Sequence, residues 1–545
     1  MTERAAPDQK RASGLALFCE VSPFLIALAI LLALSGKAFH IDDANFLLYA
    51  RWVREHPLHP AQDAVQSNPP GNAMLLAALT ALFGETERAL HLALIPLSLA
   101  ALAGMRWLAA LLNLRKPWLA ALLLACSGSF LLSATTLMPD ATMLGLLLPA
   151  LALLLSDERA PKPWKLALAS VLFALLWLLR ISAVPVLGGA ALFSLLRGNR
   201  RALLPLGALG LAVVTWTLVS RVQLGAAQTV ATAQLVGSSG GLLVWRLLST
   251  AAALVLVTSA PLAALLLLRP RGLSLFLTLA GLGCIAVTPF APYAALLVGA
   301  GSLLLLFALL RALPRTLTCE RLVALITDED TLLAGWALCG LAVPALYGQA
   351  AVKYLNLFLP PFILLVLRHA PAAAAARFGA AARFGDLARG VTAAALSLAV
   401  ALPLLIADQR HAALLKDLIL TQVVRAREAA PGKNVWVAGT PWGSLLYAEE
   451  AGAHYIASSL SPDSSQARYL QVGDQVLDLS FPGALSIPRE DAVLVESGEL
   501  RDPLPIRLMS DGAGLWSSHW GLLPFVVSDG PILPWWRVRI VRPVR

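Results

Sequence analysis

Long apolar runs recur along most of this chain and constrain its fold more than any other feature. Between residues 15 and 406, these runs are separated by short segments that contain Arg, Lys, Pro or Gly. A helix needs about 20 apolar residues to cross the hydrocarbon core of a bilayer, and about thirteen runs have roughly that length. The chain is 58% hydrophobic and 14% charged, which is unlike a soluble globular domain. The sequence therefore predicts a polytopic α-helical membrane protein, whose first run is an uncleaved helix rather than a signal peptide.

The positions of the basic residues predict the orientation of the chain. The formal net charge of +10 would suggest nucleic acid as a partner for a soluble protein. Here the basic residues gather between alternate pairs of apolar runs, and loops of this kind face the cytoplasm. This topology explains the charge without nucleic acid, and it predicts a cytoplasmic N-terminus and an external C-terminal part. The basic loops are residues 10–11, 115–116, 159–165, 197–201, 269–271, 311–321 and 368–389.

Two regions interrupt the apolar pattern, and both are predicted on the outer side. Within a membrane domain of residues 1–407, residues 37–88 form a first outer loop with amphipathic segments. Residues 408–545 form a C-terminal α/β domain, because short strand-like runs at 434–438, 492–495 and 538–541 accompany a helical pattern at 444–452. The five cysteines all lie before this domain, so no disulfide framework is predicted there.

Charged residues on the predicted outer face are the candidates for a functional site. A charge in or beside a spanning helix costs at least a few kcal/mol, yet bases and acids meet at this face. Cations hold a phosphate as charge develops on it, and a carboxylate accepts a proton from an attacking hydroxyl. The alternative is that the bases are snorkelling anchors and the acids are solvated loop charges. The bases are Arg180, Arg221, Arg246 and Lys353, and the acids are Asp42, Asp43, Asp63 and Asp140.

A divalent metal is an alternative use of the same acids. His40, His56 and His59 lie in the first outer loop, where a site with Asp42 or Asp63 is conceivable. Their spacing matches no zinc motif, so the sequence predicts no definite cofactor. In the C-terminal domain, residues 439–443 follow a strand but lack the Gly-Lys-Ser/Thr ending of a phosphate loop. They predict a tight turn.

Four short motifs in the membrane region resemble those of GT-C fold glycosyltransferases. The branch that they resemble includes the lipid A aminoarabinose transferase and the bacterial protein O-mannosyltransferases. Asn68-Pro69-Pro70 resembles that family's Lys-Pro-Pro segment, and Pro139-Asp140 its short acidic link. Lys353-Tyr354-Leu355, with prolines at 360 and 361, resembles its Arg-Tyr segment. The acidic motif of the family's first outer loop is matched by Ile41-Asp42-Asp43-Ala44-Asn45-Phe46-Leu47-Leu48-Tyr49-Ala50.

The resemblance implies a reaction and a role for each matching residue. The implied donor is a polyprenyl-phosphate sugar, and the implied transfer inverts the anomeric carbon at the periplasmic face of a bacterial inner membrane. Asp42 would be the general base with Asp43 beside it, while Lys353, Tyr354 and Arg180 would bind the donor phosphate. Because Asn68 stands where relatives carry Lys, Arg221 or Arg246 would compensate. The implied acceptor is lipid A, a glycan, another lipid or a protein, and the further active-site candidates are Asp140, Asn68, Tyr49 and Asp63.

Two other functions stay open at the level of sequence. A transporter or flippase for a lipid-linked or polar solute predicts charges near the middle of helices and inverted halves with broken helices, and neither is evident. An inactive subunit of an envelope assembly is the third reading, which the missing Lys at position 68 favours. For the transferase, residues 222–241 form an outer loop rich in Gly, Ala, Ser and Gln that is expected to close over the donor.

Overall fold

A long helical region precedes a sheet-containing C-terminal domain in the computed structural model. The structure describes residues 7–59, 68–224, 243–259, 261, 263, 264, 266, 272–290, 293–312, 328–347, 349–369, 372–439, 443–457, 470–479, 492–510 and 512–542. The predicted outer loop at 222–241 therefore lies almost wholly outside the described residues, as do Asp63 and the turn at 440–442.

The described helices follow one another along the chain. The first ten are α1 (Pro7–Ala33), α2 (Asp43–Glu55), α3 (Gly71–Phe83), α4 (Glu87–Leu111), α5 (Pro117–Ala125), α6 (Gly128–Ala134), α7 (Pro139–Arg159), α8 (Pro163–Leu179), α9 (Val184–Leu196) and α10 (Leu203–Leu224). Then come α11 (Leu243–Val257), α12 (Gly272–Ala286), α13 (Ala294–Ala312), α14 (Glu329–Leu346), α15 (Leu359–His369), α16 (Ala372–Ala429) and α17 (Ser444–Glu450). A 3₁₀ turn, Val352–Asn356, joins α14 to α15.

Several of these helices are long and apolar enough to cross a bilayer, so the predicted membrane class is confirmed. Six of the described helices meet both conditions, and a bent pair makes up to seven. Further described helices are apolar but shorter, among them α3, α8 and α9. The predicted number of about thirteen spans stays a prediction. The six spans are Ala16–Ala33, Glu87–Leu111, Pro139–Arg159, Arg200–Leu224, Glu329–Leu346 and Leu387–Ala429.

One span is broken, a feature that the sequence analysis did not find. Helices α5 and α6 meet at an angle of 65°, and Gly128 begins α6 where an added Cβ would lie 2.7 Å from the Val257 carbonyl oxygen. Carbonyl groups freed by the break are bound by serines of other parts of the chain. Ser259 Oγ donates to Leu123 O at 2.8 Å and Ser397 Oγ donates to Cys126 O at 2.9 Å. The break is thus satisfied internally, as a bilayer requires.

The C-terminal domain is a mixed sheet of five strands in the order β2-β1-β3-β7-β4. β1 runs parallel to β2 and β3, whereas β7 is antiparallel to β3 and β4. The predicted strands and the helix before residue 452 are confirmed. The strands are β1 (Val435–Gly439), β2 (His454–Ala457), β3 (Gln475–Leu479), β4 (Ala492–Leu500), β5 (Ile506–Arg507), β6 (Val526–Val527) and β7 (Leu533–Val541), of which β5 and β6 form a separate pair.

This domain sits directly on the loop that follows α1. The hydroxyl of Tyr447 accepts a hydrogen bond from Phe39 N at 2.7 Å. Gly443, with φ 83°, approaches Phe39 so closely that an added Cβ would lie 2.5 Å from its carbonyl oxygen. The 58-residue helix α16 runs on past residue 408 into the domain, where Gln475 Nε2 donates to Ala426 O at 2.7 Å. The membrane part and the sheet therefore share one continuous helix.

Candidate active site

An ion pair between Asp42 and Lys353 lies at the junction between the membrane part and the C-terminal domain. Asp42 immediately precedes α2, after Ile41 with φ 57°, and Lys353 lies in the 3₁₀ turn between α14 and α15. Lys353 Nζ and Asp42 Oδ2 are 2.8 Å apart, and the side chains are 5% and 36% exposed, respectively. The ammonium group is thus enclosed while the carboxylate reaches the surface. Only an accessible carboxylate can meet an incoming hydroxyl.

Asp43 has a different environment from its neighbour. Its side chain is buried, with Oδ2 accepting from His40 N at 3.0 Å and Oδ1 accepting from Leu137 N at 2.8 Å. Burial raises the pKa of the Asp43 carboxyl to about 7, against the opposing effects of Lys37 and the two backbone donors. Both oxygens are engaged by backbone groups, so Asp43 ties the loop before α2 to the segment before α7.

A second pair, Arg180 and Asp140, lies beside the first. Asp140 is in the first turn of α7, where Pro139 at the first helical position suits the helix start and an acid suits its dipole. Arg180 immediately follows α8, and its Nη2 lies 3.1 Å from Asp140 Oδ1. Among the described residues, no donor forms a hydrogen bond with the other, buried oxygen, Asp140 Oδ2. The pair is therefore enclosed but leaves one carboxylate oxygen open to a further donor.

The ring of Tyr354 joins the two pairs. The Arg180 guanidinium lies 5.4 Å from its centroid and Lys353 Nζ lies 5.7 Å from it. Tyr347 packs edge-on against the same ring at 5.2 Å between centroids. Cations over a tyrosine face are stabilised by the ring. Two of the predicted phosphate-binding bases thus converge on one aromatic ring.

A cavity of about 290 Å³ opens next to this ring. Its polar wall contains Asn68, Arg180, Tyr347 and Tyr354, and its other walls are mainly apolar side chains of α14 and of the start of α9 with the turn before it. A second, apolar cavity of about 210 Å³ continues along the same two helices and shares Pro185 and Cys339 with the first. Residues 331 to 346 of α14 contribute to the lining of the two cavities, a length of about 22 Å along the helix axis. The site thus has a polar head and a long apolar extension.

In the described part of the chain, Asp42 and Asp140 pair with Lys353 and Arg180, and the remaining candidate bases lie elsewhere. Arg246 is buried and donates to the carbonyl oxygen of Tyr347, and to that of Leu346 at 3.4 Å. It therefore holds the end of α14 against α11. Arg221 is exposed in the last turn of α10. Tyr49 is buried on the core face of α2.

The histidines of the first loop are placed apart from one another. His40 is buried, and burial lowers its pKa, so its ring is neutral at pH 7 beside Asp408. The His56 ring stacks on Trp52 at 3.9 Å between centroids, and the His59 carbonyl oxygen accepts from Trp52 Nε1. Across the described residues, no group of three His, Cys, Asp or Glu side chains is arranged to hold a metal ion.

Several residues that support the site were missed by the sequence analysis. Lys37 and Asp408 form a buried ion pair, and Trp516 Nε1 donates to Asp408 Oδ1 at 2.8 Å. Lys353 Nζ also lies 3.2 Å from Met138 Sδ. Lys37 and Asp408 each adjoin an apolar run, and a charge beside such a run could have identified both as candidate site residues. The pairing itself joins residues 371 positions apart, which no local pattern reveals.

Comparisons with known proteins give matches among solved structures. No protein-family model matches the chain, and no curated protein sequence matches it. The crystal structure of ArnT from Cupriavidus metallidurans bound to undecaprenyl phosphate matches at 13% identity, with a TM-score of 0.49, over 84% of this chain and 92% of that chain. The apo state of the same protein matches at 14% identity with a TM-score of 0.33, over 86% of this chain and 93% of that one.

A third match is the Archaeoglobus fulgidus oligosaccharyltransferase in complex with Zn and sulfate. It has 13% identity and a TM-score of 0.37, over 84% of this chain and 67% of that chain. Because all three TM-scores are low, the function of this chain has to be inferred from its own residues.

Proposed function

We propose that this chain is a membrane glycosyltransferase that moves a sugar from a polyprenyl-phosphate carrier to an acceptor hydroxyl. The observation that carries the proposal is the accessible carboxylate of Asp42, held by Lys353 beside a cavity with a cationic head and an apolar extension. Each part of that arrangement corresponds to one part of the reaction.

The donor fits the cavity in two parts. A polyprenyl tail is apolar and long, like the extension along α9 and α14, and exposed side chains such as Leu192 and Leu196 border that extension on the bilayer-facing surface. A phosphate needs cations and hydrogen-bond donors in an enclosed site. Arg180 and Lys353 supply the positive charge, and Tyr347 and Tyr354 supply hydroxyl groups at the same end.

The transfer proceeds as a single displacement. Asp42 accepts the proton of the acceptor hydroxyl, whose oxygen attacks the anomeric carbon C1 and forms the new bond. The bond from C1 to the phosphate oxygen breaks, and its electron pair leaves with the polyprenyl phosphate. Lys353 turns from Asp42 to the leaving phosphate, which frees the carboxylate to act as base. Asp140 holds Arg180 in place for the same phosphate. Attack from the face opposite the leaving group inverts C1.

The proposed location follows from the sequence topology. The site lies at the end of the membrane part that carries the C-terminal domain, and that end is assigned to the periplasmic face of a bacterial inner membrane by the basic loops. The N-terminus is then cytoplasmic. The acceptor belongs to one of four classes, namely lipid A, a glycan, another lipid or a protein.

A transporter is the second candidate, and the broken pair α5 and α6 is the observation that favours it. Solute or ion coordination at a break needs free backbone carbonyl groups. Here Leu123 and Cys126 at the break already accept hydrogen bonds from serine hydroxyls. The break instead directs α6 toward Leu137 and Met138, which contact Asp43 and Lys353. This arrangement favours a transferase.

The test is mass spectrometry of envelope lipids and glycoconjugates from cells with the native chain, with no chain, and with Asp42→Asn. We expect one class of molecule to lose a sugar mass in the null and Asp42→Asn strains, while polyprenyl-phosphate sugar accumulates. Loss of a general base lowers turnover about 10²- to 10⁴-fold. Asp417→Asn makes the same chemical change at an exposed acid of α16 and is expected to match the native strain.

Two outcomes would contradict parts of the proposal. An Asp42→Asn strain with native glycan and lipid profiles would exclude Asp42 as the base. If the null strain also matches the native strain and polyprenyl-phosphate sugar does not accumulate, transfer itself is excluded, and the transporter and the inactive subunit become the explanations to test.

A further inference from the structure

One segment of the C-terminal domain lies against the residues that precede Lys353. This docking segment, residues 513–520, pairs with the backbone of residues 350–352. Val352 N donates to Leu515 O at 3.0 Å, and Ser518 N donates to Ala350 O at 2.7 Å. Ala350 N in turn donates to Ser518 Oγ at 2.9 Å. These bonds fix the position of the backbone up to Val352, the residue before Lys353.

The same docking segment reaches the loop that precedes Asp42. Trp516 is 1% exposed, and its indole Nε1 donates to Asp408 Oδ1 at 2.8 Å. The other oxygen of Asp408 is paired with Lys37, and its Oδ1 also lies 3.4 Å from His40 Nε2. Lys37 Nζ lies 5.8 Å from the Trp516 ring centroid. Lys37 and His40 both belong to the short segment between α1 and Asp42.

The docking segment therefore contacts the chain before both members of the ion pair. It binds residues 350–352 directly, and it reaches the segment before Asp42 through Asp408 and Lys37. Asp42 and Lys353 are 311 positions apart in the chain, and each lies on a short turn rather than inside a long helix. A displacement of about 1 Å in reacting groups costs about 10²-fold in rate. A shared support that contacts both turns reduces their relative motion. Lys37, Asp408 and Trp516 are almost completely buried, so each of their contacts is costly to break.

We propose that the docking segment holds Asp42 and Lys353 in register, with Trp516 and Asp408 as the positioning residues. Its effect on turnover rests on the proposed glycosyl transfer; its effect on the two turns does not. The C-terminal domain is then a part of the active site, and Trp516 acts through Asp408 and Lys37 without touching the substrate.

The test compares Trp516→Phe with Trp436→Phe in the full-length purified protein. Both substitutions remove an indole N–H that donates to an aspartate, since Trp436 Nε1 donates to Asp474 Oδ2 at 2.9 Å within the C-terminal domain. The first measurement is amide hydrogen exchange of peptides that cover residues 37–43 and 350–354. We expect exchange there to rise about tenfold in Trp516→Phe and to stay at the native level in Trp436→Phe.

The second measurement is kinetic and separates positioning from general loss of structure. We expect kcat of Trp516→Phe to fall about tenfold while KM for the polyprenyl-phosphate sugar stays within about twofold. In a Lys353→Met background, whose residual turnover is measured first, Trp516→Phe should cause no further fall, because the pair that it positions is already broken.

Each result has a defined meaning. Native exchange at both turns in Trp516→Phe overturns the positioning role whether or not the chain transfers sugar. Raised exchange together with no sugar transfer by the native chain supports the positioning role and rejects the proposed function. A full further loss of kcat in the Lys353→Met background shows that Trp516 does not act through the pair, and so overturns the proposal.

A second variant covers the case in which Trp516→Phe does not fold. Ser518→Ala removes only the hydroxyl that accepts from Ala350 N. We expect its exchange to rise at residues 350–354 and to stay native at residues 37–43, which the Trp516 contacts still support. Native exchange at residues 350–354 in this variant would contradict the docking contact.

Discussion

At the scale of single residues, the carboxylates of Asp42 and Asp43 face different surroundings because Asp43 begins the first turn of α2 and Asp42 precedes it. Asp42 reaches the surface against an enclosed Lys353. Asp43 points inward and binds two backbone N–H groups. Adjacent acids thus divide into one candidate for chemistry and one that holds the loop.

Asp43→Asn is predicted to destabilise the fold by about 1–3 kcal/mol, because an amide nitrogen would oppose one of the two backbone donors. The loss should be largest near pH 5 and smaller at pH 8. Burial raises the pKa of Asp43 to about 7, while in the unfolded chain it ionises near pH 4. Between these values the folded state binds more protons, so the contribution of Asp43 to stability falls as pH rises.

Unfolding in denaturant at several pH values, with native and Asp43→Asn chains in the same detergent, measures this difference. The exposed Asp417→Asn again serves as the control, with an expected change within about 0.5 kcal/mol at each pH. A gap between native and Asp43→Asn chains that widens from pH 5 to pH 8 would contradict the prediction.

The sequence could predict which residue types meet, but not how they are paired. Asp42, Asp140, Arg180 and Lys353 were singled out because their charges adjoin apolar runs on one predicted face, and the structure brings all four together. The separate environments of Asp42 and Asp43 were not visible, because a pair of adjacent acids carries no information on which side chain is buried. Arg246 met the same criterion, yet its guanidinium binds carbonyl groups at the end of α14.

At the scale of elements, the patterns with a clear period were predictable. α2 appeared in the sequence as an amphipathic segment, and the strands around residues 435, 494 and 539 appeared as short apolar runs. The break between α5 and α6 was not predictable, because Ser127 and Gly128 are small residues inside a continuous apolar run. Hydropathy does not change where a helix turns through 65°.

The broken helix gives a prediction at this scale. Ser397→Ala should lower the free energy of unfolding by about 1–2 kcal/mol, since it removes the donor to the Cys126 carbonyl oxygen and leaves that group buried. Ser302→Ala is the matched control, because its hydroxyl donates to Val298 O within its own helix, where that loss is expected to cost less than about 0.5 kcal/mol.

Thermal unfolding of the two purified variants compares these values directly. Equal shifts in Tm for Ser397→Ala and Ser302→Ala would show that the hydroxyl at the break contributes no more than an ordinary helical serine. The Ser397 hydroxyl would then not be what stabilises the broken span.

At the scale of the whole molecule, the sheet domain is fixed to the membrane part through contacts on the loop after α1. Gly443→Ala is predicted to loosen this docking, because the residue has φ 83° and its Cβ would meet the Phe39 carbonyl oxygen at 2.5 Å. Gly432→Ala carries the same type of backbone strain at φ 80°, with nothing within 4 Å of the added Cβ, so it isolates the clash from the strain.

Limited proteolysis and transfer activity of the two variants measure the docking. Gly443→Ala is expected to release the C-terminal domain to protease and to lower activity about tenfold or more, while Gly432→Ala keeps both near native. If the two variants show the same protease sensitivity and activity, backbone strain explains the effect, and a tight contact at Phe39 is contradicted.

The docking segment also sets the order in which the site is completed during synthesis. A ribosome releases Asp42 early and Lys353 later, but Trp516 leaves it only after α16 and most of the sheet have been made. On the proposed role of this segment, a nascent chain in the membrane thus contains Asp42 and Lys353 without the support that holds them in register. On this proposal, newly made molecules gain the support for Asp42 and Lys353 only after residues 513–520 have been made, and a chain that stops before residue 513 is expected to lack it.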